Sequence, residues 1–200
     1  MYYHASPIGG IKILEPKVSN HGVPLIYFSK KRENVLVYLS NAVEKFCKDT
    51  GYAHTGKWTK WASYGFRDGI QQLDEYYPNA LVETYRGVSG YIYRAASIQD
   101  AGQDIHIPDT AVSSLPVPVD GMEFIPDAYE AILEAERRGE IFITRYEAMT
   151  ERTRAWHEKT IQEEYDSARE QPEYRYFLKN KFGLILGARD VEPKELQAGL

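Results

Sequence analysis

The chain has 200 residues, of which 43% are hydrophobic and 26% charged, a balance that builds a packed core and excludes disordered, collagen-like and coiled-coil classes. With 24 Lys and Arg against 29 Asp and Glu the net charge is −5, so no overall positive field draws the chain onto nucleic acid or an anionic membrane. No apolar run approaches the roughly 18 residues of a membrane span, and the lone Cys47 makes no internal disulfide; together these predict a cytoplasmic protein of the reducing cytosol with no membrane partner.

Tyr2 to Ser6 reads as a short strand broken by Pro7-Ile8-Gly9-Gly10, and Ile11 to Leu14 as a second. Val23 to Ser29 is a buried strand whose proline sits near its start, where a missing donor is tolerated. Ser29 then predicts an N-cap for one helix ending near Cys47 or Lys48, because Val35, Leu36, Leu39, Ala42, Val43 and Phe46 recur at helical steps. Residues 51 to 80 have no clean period and read as irregular, with a hairpin around Arg67-Asp68-Gly69.

Val88 to Ala95 alternates as a strand, Ile105 to Pro108 as a shorter one, and Gly121 to Ile125 as another ended by Pro126. A helix from Asp127 to Arg138 follows, closed by Gly139, and Ile141 to Thr144 is a final strand. From Thr150 to Glu170 the chain is helical but charged nearly all round, which predicts a C-terminal helical extension over 150–186 packed on a 1–149 domain, or a dimer element in a homo-oligomer. Residues 187–200 read as a polar tail.

The familiar phosphate-loop, dinucleotide, nucleophile-elbow and zinc-protease patterns are absent. Five histidines without helical pairing and one cysteine predict no metal site. Sixteen tyrosines against seven phenylalanines point instead to a wet, aromatic-lined groove, because tyrosine adds a polar rim to a stacking face. Trp58, Trp61, Tyr64 and Phe66 with Lys57, Lys60 and Arg67 form an aromatic-basic cluster suited to a partner-facing loop.

Tyr3-His4-Ala5-Ser6 on a first strand, Gly22-Val23-Pro24-Leu25-Ile26-Tyr27-Phe28 on a second, and Tyr38 eleven residues after Tyr27 together carry a resemblance. The front of the chain resembles the ADP-ribosyltransferase superfamily, in the His-Tyr-Glu branch typified by diphtheria toxin and the poly(ADP-ribose) polymerases, with Ala5 where that branch usually has glycine. The resemblance implies an α+β fold with a split, mostly antiparallel sheet and flanking helices. It also implies NAD as substrate, with no metal, and transfer of ADP-ribose to a protein, nucleic-acid or small-molecule acceptor, or to water.

The residue roles follow from that resemblance. The main chain at Ala5 would hold the nicotinamide amide, His4 and Ser6 the ribose hydroxyls, and Tyr27 and Tyr38 the ring. Glu123 would stabilise the oxocarbenium-like transition state, with Glu83 and Glu140 as alternative glutamates. Two other readings stay open: an inactive relative kept as an interaction module, and an enzyme like the RNA 2′-phosphotransferase, which shares the fold but needs basic residues for a phosphorylated RNA end.

Overall fold

The computed structural model describes residues 1–18, 22–54, 59, 62–99, 101–102 and 106–187. The chain divides into two compact units, Met1–Met149 and Thr150–Leu200. The first is α+β. Its larger sheet is centred on β1 (Tyr2–Ser6), and β4 (Pro24–Ser29) lies antiparallel on one side of it. On the other side, β7 (Gly90–Ala95) pairs with β1 along its whole length, from Tyr2 opposite Ala95 to Ser6 opposite Tyr91. β10 (Gly121–Ile125) continues the sheet beyond β7, while β3 (Lys17–Val18) and β8 (Thr110–Ser113) both pair with β4.

One face of this sheet buries Ile26, Phe28, Tyr93 and Ala95 against Leu14 and Val117, which come from the two-stranded ribbon of β2 (Ile13–Leu14) and β9 (Val117–Pro118). The other face is covered by a 3-10 helix, Glu33–Leu39, and α3 (Ala128–Arg137) packs on that helix and on the final strand. In the 3-10 helix Asn34, Val35, Leu36, Val37 and Leu39 are all buried. A glycine at 90 makes that approach possible, because a Cβ there would meet Leu39 Cδ2 at 2.7 Å and the Ser6 carbonyl at 3.2 Å.

The single helix expected after Ser29 is two. Ser29 ends β4, its Oγ accepting from the Lys31 N–H at 3.1 Å, and Ser40 is extended at φ −136° and ψ 147°. Asn41 then restarts the helix as α1 (Ala42–Thr50), its side chain accepting from the Val43 and Glu44 N–H groups. Asparagine satisfies first-turn donors well, so the break falls where capping outweighs the apolar repeat that runs through it.

The expected hairpin forms. β5 (Ala62–Arg67) and β6 (Ile70–Glu75) are joined by Asp68 and Gly69, both at positive φ (53° and 75°), as a two-residue turn matched to strand twist requires. The final strand β11 (Ile141–Thr144) joins this second sheet, parallel to β6. The shorter strand expected at Ile105–Pro108 is not one: residue 105 lies outside the described residues, and His106 and Asp109 take φ of 55° and 60°, which no strand tolerates. The strand β8 begins after that turn.

α2 (Ala80–Tyr85) has no cap from Asn79; the buried Glu75 substitutes, its Oε1 accepting from the Leu81 N–H at 2.8 Å while Oε2 accepts from the Tyr146 N–H at 3.2 Å. α3 opens on Asp127, which accepts from the Tyr129 and Glu130 N–H groups. It closes on Gly139 at φ 71°, whose N–H reaches the Glu136 carbonyl while the Glu140 N–H reaches that of Ala135. These two bonds form a Schellman closure.

The second unit contains α4 (Glu151–Ser167), capped by the Thr150 side chain, and α5 (Pro172–Leu186). Ile161, Ala168, Phe177, Leu178 and Phe182 are its buried apolar residues, so the apolar side missing from the charged first helix is largely carried by the second. No helix among the described residues is long and apolar enough to cross a membrane.

Substituting Gly90→Ala inserts a methyl group between β7 and the 3-10 helix and lowers stability by about 1–3 kcal/mol. Chemical denaturation of the full chain measures this, with an unchanged midpoint contradicting the close approach.

Candidate functional site

Tyr3 opposite Ser29 is the one described register pair between β1 and β4. From there the link is carried by a side chain: His4 Nδ1 lies 2.9 Å from the Tyr27 carbonyl. A carbonyl only accepts, so Nδ1 carries the proton and Nε2 of the neutral ring is left with the lone pair. The ring packs at 5.9 Å from that of Phe28, and burial holds the His4 pKa below its ordinary value despite the opposing effect of the Tyr27 bond. Near neutral pH His4 is therefore an uncharged hydrogen-bonding group.

Ala5 lies beside His4, opposite Ile92 of β7. Ser6 is 8% exposed and its Oγ accepts from the Ile8 N–H at 3.1 Å, bending the chain at Pro7. Its hydroxyl is thus engaged in the turn that ends β1. Tyr27, partly buried, faces Val112 of β8 across the β4 ladder.

Tyr38, in the last turn of the 3-10 helix, leaves 42% of its surface exposed, yet burial around its hydroxyl raises its pKa. That hydroxyl belongs to a group. Tyr64 of β5 has a pKa raised well above the ordinary value, by burial first and then by the neighbouring phenols of Tyr85, Tyr38 and Tyr76. The Tyr85 hydroxyl in turn donates to the Val37 carbonyl at 2.7 Å. The 3-10 helix and α2 are therefore joined through the Tyr85 hydroxyl, with Tyr64 of the second sheet buried near it, beneath a half-exposed ring. The excess of tyrosine over phenylalanine pointed to a wet groove, whereas Tyr76 and Tyr85 are buried here and neither stood out by position.

Glu123 lies apart from His4. The pairing register aligns His4 with Tyr93 and Tyr93 with Met122, while Glu123 aligns with Ile92 and Ile92 with Ala5. Paired residues share a face and successive residues alternate, so Glu123 and His4 project from opposite faces of the sheet. The Glu123 carboxylate is held by Arg32, whose Nε and Nη2 donate to its two oxygens at 2.7 and 2.6 Å. That bond, ahead of the charges of Arg32 and Arg94, keeps its pKa below the usual carboxylate range. Arg32 was not anticipated from sequence, because only the register brings residues 91 positions apart together.

The two alternative glutamates are elsewhere: Glu83 is exposed on α2, and Glu140 accepts from Arg138 at 2.7 Å. Of the aromatic-basic cluster, Lys57, Trp58, Lys60 and Trp61 lie outside the described residues. Arg67 lies over the Phe142 ring at 4.1 Å and thus packs β5 against β11. Among the described residues no group of three or more His, Cys, Asp or Glu side chains is placed to hold a metal.

The depressed pKa of His4 sets a pH dependence. As pH falls below the ordinary histidine value of 6.5, the unfolded chain takes up a proton that the folded ring resists. The thermal midpoint therefore falls on acidification in this window and is independent of His4 above it. His4→Gln, which keeps a donor for the Tyr27 carbonyl, flattens that part of a pH-melting series; an identical slope in the variant removes His4 as its source.

A scan against protein-family models finds no match for this chain, and searches of curated proteins and of solved structures find none either.

Proposed function

We propose that the unit spanning residues 1–149 is an ADP-ribosyltransferase-like domain that binds NAD. The observation that supports this most is the junction of β1 and β4: one register pair, then His4 reaching across to the Tyr27 main chain. The half-exposed ring of Tyr38 on the adjoining helix adds to it. Tyr27 and the helix that carries Tyr38 share the sheet face of Tyr3 and Ala5, so two aromatic rings eleven residues apart are available there for stacking on a nicotinamide, while the neutral His4 projects from the other face and meets Tyr27 only through its carbonyl.

In the transfer reaction the bond between the nicotinamide nitrogen and ribose C1′ breaks, and its electron pair neutralises the departing pyridinium. An acceptor hydroxyl or water then bonds to C1′ and loses its proton to solvent. The positive charge that develops on the ribose calls for a carboxylate, and Glu123 is the residue the resemblance assigns.

The Arg32–Glu123 pair favours a second reading, in which the domain binds NAD without turning it over. The carboxylate is already bidentate to a guanidinium and lies on the sheet face away from His4. Binding and turnover are therefore measured separately on the full chain.

Calorimetric titration with NAD is expected to show binding, and Tyr38→Ala to weaken it by about tenfold, the value of a stacked ring. Released nicotinamide in the same sample reports transfer, and Glu123→Gln abolishes that release while sparing binding if Glu123 carries the reaction. Binding with no release supports the module without turnover. Absence of NAD binding overturns the proposal.

A further inference from the structure

Arg94 stands near Glu123 and has no ion pair of its own among the described residues. It lies opposite Gly121 in the β7–β10 register, and its guanidinium rests on that glycine. A Cβ at 121 would fall 2.4–2.9 Å from Arg94 Nε, Nη2 and Cζ, so position 121 must lack a side chain for Arg94 to keep this posture. Two residues on, Glu123 points to the same face and spends both oxygens on Arg32, 2.6–2.7 Å away. Arg94 acts on it by charge alone. The other charges felt by Arg32, Glu33 and Arg138, are of opposite sign and offset one another.

Two guanidinium groups thus flank one carboxylate and leave one positive charge over. A carboxylate has two oxygens and here satisfies one arginine. A phosphate group with three terminal oxygens can accept from both, with the higher charge that charge-assisted bonds reward.

We infer that Arg32 and Arg94 form a binding site for a phosphate or diphosphate group, in which Glu123 is the resident anion that the ligand displaces. The site is built from the face of the sheet opposite His4 and does not depend on the NAD reading. Exchange is open to a ligand because the Glu123 side chain is half exposed, so an incoming anion reaches the guanidinium from solvent and replaces the two carboxylate bonds with bonds of its own. Ligand binding frees the carboxylate, so occupancy of this site also controls whether Glu123 is available to anything else.

The test is titration of the full chain with inorganic diphosphate by calorimetry at low ionic strength, with thermal melting to verify that each variant is folded. The unaltered chain binds. Glu123→Gln, which removes the competitor and leaves both arginines, binds about tenfold more tightly. Arg94→Ala weakens binding about tenfold, and Gly121→Ala weakens it by displacing the guanidinium with no change of charge. Affinity in Glu123→Gln equal to or below that of the unaltered chain overturns the inference, as does unchanged affinity in Arg94→Ala or no binding at all. Diphosphate binding in a protein that does not bind NAD removes the NAD reading alone; NAD binding without any diphosphate response removes this one alone.

Discussion

Strand β1 is paired along all five of its residues with β7 but meets β4 at a single register pair, and the His4 imidazole extends the link from there to the Tyr27 carbonyl. A side chain doing the work of a ladder bond has a fixed reach and a fixed proton count. The Nδ1–H donates to the Tyr27 carbonyl in the neutral and the charged ring alike, so burial and not this bond opposes protonation. Burial favours the neutral state. The 3-10 helix laid against β1 and β7 depends on the same strand, and through it so does the position of Tyr38.

The tyrosine hydroxyls give this helix a second anchorage. Val37, one residue before Tyr38, accepts from Tyr85, and Tyr64 is buried near the same hydroxyl. A helix with hydrophobic residues buried on nearly every side has little polar surface with which to choose its rotation, and specific hydrogen bonds at its last turn supply that choice. Phenylalanine at Tyr85 would fill the same volume but leave the carbonyl of Val37 without its donor.

Local chemistry was the most legible part of the sequence. Asp127 and Gly139 marked the two ends of α3, and Asp68-Gly69 marked a hairpin, because capping and positive-φ turns are decided by the residues that occupy them. β7 was legible by its alternation, and β1, β4 and β10 as short apolar runs bounded by proline and glycine. The break at Ser40 and Asn41 was hidden because the apolar repeat continues across it at a helical step. β8 was hidden because four short residues carry almost no pattern. At the candidate site the strands that carry His4 and Tyr27 were legible, but the bond from His4 to the Tyr27 carbonyl and the faces of Tyr27 and Glu123 were not. One residue of register decides that face, and register is a property of the assembled sheet.

The parallel pairing of β11 with β6 has a consequence for assembly. Ile141 lies opposite Gln71, 70 positions earlier, and between them the chain must complete β7, β8, β10 and α3. The hairpin of β5 and β6 is local and can form early, yet one edge of β6 stays open until most of the first unit has been made. During synthesis that open edge is a template for pairing with another nascent chain. The order of elements therefore ties yield in the cell to the speed with which α3 and β11 follow the hairpin from the ribosome, a kinetic constraint independent of how stable the finished domain is.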